Sequence, residues 1–113
     1  MIGRSPKEEK RAAMQFMTLS RRVTETYSDA DFAPRLEAEA QRARALYAQG
    51  FIRHIWHRGD MGGACLLVEA DNETAVREML GSLPLVAAGM LEVTNIVPLK
   101  PYGGFGPRPE PGR

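Results

Sequence analysis

The run Phe51-Ile52-Arg53-His54-Ile55-Trp56-His57-Arg58 alternates like a β-strand, yet it holds four cationic or titratable side chains and the only tryptophan. Burying charge in a sheet is costly unless the charge is paired or put to use. The segment is therefore either a sheet edge facing water or the wall of a pocket.

His54 is the leading candidate for proton transfer, because an imidazole takes up and returns protons near neutral pH. The blander account is a hydrogen-bonded core histidine. Trp56, two residues on, shares its face in a regular strand and suits a pocket wall or a core anchor equally. Arg53 has the fork geometry to grip a substrate carboxylate, or it pairs with Glu92 or Glu69. With Trp56, His57 and Glu92, it makes up the set of candidate substrate-contacting residues.

Regular alternation divides the run into an Ile52-His54-Trp56-Arg58 face and a Phe51-Arg53-Ile55-His57 face. Arg53 and His54 then cannot touch one small ligand from one subunit, and His54 and His57 cannot share a metal. No carboxylate-rich cluster supplies other ligands, so neither metal nor cofactor is expected. Gly59 to Gly63 lacks a P-loop lysine and reads as a tight turn. Ser20 and Ser28 have no nucleophile-elbow context.

The elements that must position these residues are legible in the periodicity. Met14 to Ser20 reads as a first strand and Thr24 to Asp31 as a polar loop. A helix runs from about Pro34 to Gln49, with Leu36, Ala40, Ala43 and Tyr47 on its inner face and Gly50 as its stop. The strand around His54 and the strand Ala64 to Glu69 form an antiparallel hairpin. Asp71 or Asn72 caps a second helix whose Ala75, Val76, Met79 and Leu80 turn inward, ending near Gly81. A connection through Leu83-Pro84-Leu85 leads to a last strand, about Leu91 to Leu99.

The order β-α-β-β-α-β predicts an α+β, ferredoxin-like sandwich with both helices on one sheet face. Its other face is too apolar for water, since Cys65 and Leu67 oppose Leu66 and Val68, which predicts a homodimer joined sheet to sheet. Residues 1–13 read as a polar arm, 14–100 as a single domain and 101–113 as a Pro/Gly-rich tail. Tyr102 and Phe105 are suited to anchoring that tail on a neighbouring subunit.

Composition narrows the partners. Fifteen Lys and Arg against fourteen Asp and Glu provide no basic field for nucleic acid. The single cysteine, Cys65, can form no internal disulfide, and no stretch approaches the roughly 20 apolar residues that span a bilayer. A cytoplasmic protein with no membrane partner is expected.

Arg53-His54-Ile55-Trp56 resembles the R-H-L-W segment of bacterial muconolactone isomerases. Leu83-Pro84-Leu85 followed by Leu91-Glu92-Val93 is similar to their L-P-L and I-E-V segments, and the likeness covers about Met14 to Leu99. The resemblance implies a dimeric α/β barrel, often in a larger assembly. It also implies a cofactor-independent double-bond migration in a carboxymethyl-butenolide, within aromatic-acid degradation through the β-ketoadipate pathway. On that likeness His54 shuttles the proton, Trp56 walls the ring, and Arg53 or an arginine of the partner holds the carboxylate or steadies the dienolate.

The chain departs from the pattern at His57, where the isomerases have arginine, and in its glycine-rich hairpin turn, which leaves the substrate open. The same barrel hosts YciI-like proteins, cofactor-free monooxygenases and small binding proteins. A non-catalytic ligand-binding dimer and a cofactor-independent monooxygenase are the alternatives.

Overall fold

Four strands pair into one antiparallel sheet: β1 (Met14–Arg22), β2 (Ile52–His57), β3 (Ala64–Ala70) and β4 (Leu91–Leu99), in the spatial order β2-β3-β1-β4. Between them run α1 (Asp29–Phe32), a 3-10 turn (Ala33–Arg35), α2 (Leu36–Ala48), α3 (Glu73–Gly81) and α4 (Pro84–Ala87). The computed structural model describes residues 14–106, so the expected arm 1–13 and the tail residues 107–113 lie outside the described residues. This is the ferredoxin-like order read from the sequence.

The helix boundaries follow from local chemistry. At the end of α2, Gly50 takes a φ of 88°, and its N–H donates to Tyr47 O while Phe51 N–H donates to Leu46 O. That pair of bonds is a Schellman stop, in which a left-handed glycine lets the chain reverse. Asn72 caps α3 by accepting from Ala75 N–H at 2.8 Å.

Two segments expected as connections hold short helices instead. α1 closes the loop after β1, where Ser28 N–H donates to Asp31 Oδ2 at 2.8 Å. α4 begins at Pro84, whose fixed φ and missing N–H suit a first helical position.

The main core lies between the sheet and helices α2 and α3, where Phe16, Leu46, Ile52, Val68 and Val76 are fully buried. A smaller cluster of Phe32, Leu85 and Met90 lies apart from it. One expected inward residue is displaced: Tyr47 is 62% exposed, and Leu46 is buried in its stead. Both lie one turn beyond Ala43, and the stripe continues at the three-residue step.

Two bulges set which side chains face the helices. In β2, Ile52 opposes Val68 and His54 opposes Leu67, so Arg53 is an extra residue. In β4, Asn95 opposes Leu19 and Val93 opposes Ser20, so Thr94 is extra; its hydroxyl donates to Leu19 O at 3.2 Å. A bulge resets the side-chain alternation beyond it. The expected grouping of Ile52 with His54 and Trp56 is thereby corrected: Ile52, Ile55 and His57 face the helices, while His54 and Trp56 face the bare side. The same reset puts Val93 on the helix side with Ile96.

Candidate functional site

Rows of the sheet, read across the strands on the helix side, become more polar toward one end. Ile52, Val68 and Phe16 form an apolar row; then come Ile55, Leu66 and Thr18, then His57, Ala64 and Ser20, and β1 ends with Arg22. Above this polar end the helices leave a cavity of about 290 Å³. Leu80, Leu83, Leu85 and Val86 line its roof.

Its most distinctive group is Glu39, in the first turn of α2 and facing the cavity. Burial pushes its carboxyl above the ordinary glutamate value of 4.5, opposed more weakly by a hydrogen bond from Leu85 and by the Arg22 charge. Leu85 N–H donates to Glu39 Oε1 at 2.8 Å. Because Pro84 has no N–H, Leu85 carries the first donor of α4, and Glu39 caps that helix from another element. One carboxylate oxygen is thus fixed.

Arg22 is held from two sides. Its guanidinium carbon lies 4.8 Å from the centre of the Phe32 ring, within cation–π range, and its backbone N–H donates to Gly62 O at 3.0 Å. Among the described residues it makes no ion pair within hydrogen-bonding distance, which leaves its fork available at the cavity.

The glycine-rich turn accounts for this arrangement. Gly63, at φ 143°, sits so near β1 that a Cβ there would lie 2.1 Å from Ser20 O. Arg58 crosses to the same carbonyl, donating from Nη1 at 3.2 Å, and pairs with Asp60 at 2.7 Å. Ser20 Oγ in turn accepts from Ala64 N–H and donates to Ala64 O. These contacts fasten the hairpin to β1 at the polar end of the cavity.

The candidate residues from the sequence fall in several places. His57 lines the cavity, beside a mouth where Leu36 and Ile55 are substantially exposed. His54 and Trp56 stack on the opposite sheet face, ring centres 4.2 Å apart, with Trp56 45% exposed. Arg53 occupies the β2 bulge and is exposed. Glu92 accepts from Arg21 Nε at 2.6 Å on the bare side, so it is committed to an ion pair rather than to Arg53. Among the candidates, only His57 lines the cavity with Glu39, Arg22, Ser20 and Thr18.

The cavity residues absent from the sequence reading had a faint signature. Glu39 falls three after Leu36 and four before Ala43, so it is a charge on the inward stripe of its helix. Phe16, Thr18, Ser20 and Arg22 share one strand face and grade from apolar to charged.

Among the described residues, no group of three His, Cys, Asp or Glu side chains could hold a metal, and no helix is long and apolar enough to cross a membrane. The tail residues Tyr102 and Phe105 are 78% and 86% exposed. A comparison with curated proteins finds no match. A family model described as muconolactone delta-isomerase matches residues 14–103, which take in the whole sheet and the helices that cover it. On that match, the chain belongs to the muconolactone delta-isomerase family.

Proposed function

We propose that this protein isomerises a small carboxylated lactone by acid/base chemistry in the cavity between sheet and helices. The observation that carries the reading is Glu39, a partly desolvated carboxyl with one oxygen fixed, facing a cavity that also presents a guanidinium with no ion pair among the described residues. Size agrees: a dry cavity of about 150 Å³ holds benzene, with six non-hydrogen atoms, so about 290 Å³ suits roughly twice that number. A carboxymethyl-butenolide falls within it.

In the proposed reaction, Arg22 pairs with the carboxylate arm. Glu39 takes the proton from the ring carbon that bears this arm, γ to the lactone carbonyl. The C–H electrons move into the ring and give a dienolate, toward whose oxygen His57 can donate. Glu39 then returns the proton to the α carbon, so the double bond moves from the α,β to the β,γ position with no net oxidation or reduction. A raised carboxyl pKa serves both halves, since the group must accept a proton and give it back.

The bare sheet face belongs to self-association in this reading. Met17, Leu67, Val97 and Trp56 offer a second copy an apolar surface, and His54 lies within it. The setting, aromatic-compound catabolism in the cytoplasm, rests on family membership alone.

The test is Glu39→Gln assayed on a carboxymethyl-butenolide by the absorbance change of double-bond migration. A loss of about 10²–10⁴ in kcat is expected, with the circular dichroism unchanged because an amide oxygen still accepts from Leu85. Unchanged turnover would remove Glu39 from the reaction.

A further inference from the structure

A second cavity, of about 170 Å³, lies between α3, α4 and β4, lined by Arg77, Leu80, Gly81, Val86, Val93 and Ile96. Leu80, Val86 and Val93 also line the first cavity, so these three side chains stand between the two spaces. They come from three elements: Leu80 from α3, Val86 from α4 and Val93 from β4. The partition lies toward the β4 edge of the sheet, and the exposed mouth at Leu36, Ile55 and His57 toward the β2 edge. A ligand entering at the mouth shares the cavity with Glu39 and Arg22 and has this partition on its far side.

We propose that Leu80, Val86 and Val93 are the end-stop of the substrate cavity and set the length of the apolar substituent that the substrate carries. The inference rests on the isomerase reading for what the substrate is, but the stop itself depends only on a carboxylate held at Arg22 and an alkyl chain directed away from it. All three side chains are aliphatic, so the subsite takes alkyl groups and rejects polar ones, which would lose their hydrogen bonds there. Val86 and Val93 are half-buried, whereas Leu80 is buried in the core. Val86 is the side chain that can be trimmed at least cost to folding.

The experiment measures binding of straight-chain alkanoates, butanoate to decanoate, by calorimetry to wild type, Val86→Ala and Val93→Leu. Affinity is expected to rise about fourfold per methylene up to a break. The break should move to a longer chain in Val86→Ala, which opens a way into the second cavity, and to a shorter one in Val93→Leu. A break at the same chain length in all three proteins overturns the end-stop, as does the absence of any length dependence or of any alkanoate binding. Turnover of the unsubstituted butenolide is followed in parallel. A break that moves between the three proteins without any wild-type turnover retains the end-stop and loses the isomerase reading, and the converse result loses only the end-stop.

Discussion

The two faces of the sheet solve different problems with similar residues. The helix-covered face carries its polar groups singly: Glu39 is fixed by Leu85 N–H, Ser20 by the Ala64 backbone, and the Arg22 guanidinium by the Phe32 ring. The bare face carries its polar groups as pairs that satisfy one another, such as Arg21 with Glu25 and Glu92, and packs His54 on Trp56. A cavity charge that makes no hydrogen-bonded ion pair among the described residues is free to act on a ligand. Charges already neutralised on a flat apolar surface lower the cost of covering that surface with another chain.

The contrast is sharpest in a pair of substitutions. Arg22→Ala should raise KM for a carboxylated lactone by about 10–10²-fold through loss of a charge-assisted bond, with the sedimentation coefficient unchanged. Trp56→Ala should weaken self-association by about 2 kcal/mol, as for a buried aromatic at an interface, while kcat per site in the associated form stays near wild type. If Trp56→Ala or His54→Ala instead abolished turnover in an intact oligomer, as the strand's resemblance to the isomerases implied for His54, the chemistry would belong to the bare face.

Acidity separates the faces further. Burial raises the Glu39 pKa, so the folded protein holds this proton more tightly than the unfolded chain does. Stability from this group is full below the unfolded value of 4.5 and falls as pH rises through the raised folded value. Glu39→Gln should therefore gain stability over wild type in urea melts above that range and lose the advantage below it. The wild-type kcat should rise with pH over the same interval.

Glu25 has the opposite sign and the smallest effect. Its hydrogen bond from Arg21 holds its carboxyl down at about 2, so its contribution is present above 4.5 and is lost as pH falls toward 2. The difference between wild type and Glu25→Gln should shrink on acidification and on addition of salt, because the pair is solvent-exposed.

Strand and helix identity were legible because the apolar period is strong in α3 and the turn glycines are placed where reversals occur. The Schellman stop at Gly50 and the Asn72 cap are local chemistry and needed no tertiary information. The partition of β2 between faces was not legible. Arg53 carries no mark that distinguishes a bulge from an ordinary strand residue, and one unpaired residue inverts every assignment after it. Without the bulge, His54 and Trp56 would face the helices and Ile55 and His57 would not. Glu39 was obscured for a different reason: α2 is crowded with charges, and only its position between Leu36 and Ala43 marks it as inward. The Leu83-Pro84-Leu85 stretch was recognised by resemblance, but its role as the donor to Glu39 depends on a contact 46 residues away in sequence.

The bulges have a further effect on how copies of this chain can meet. β2 and β4 are the two edges of the sheet, and an edge strand with free N–H and C=O groups invites lateral addition of another strand. Arg53 interrupts one edge, and Thr94 together with Pro98, which has no N–H, interrupts the other. Neither rim offers a long uninterrupted template, so growth into a continuous intermolecular ribbon is obstructed on both sides, and a crowded population of these molecules is steered away from fibrils.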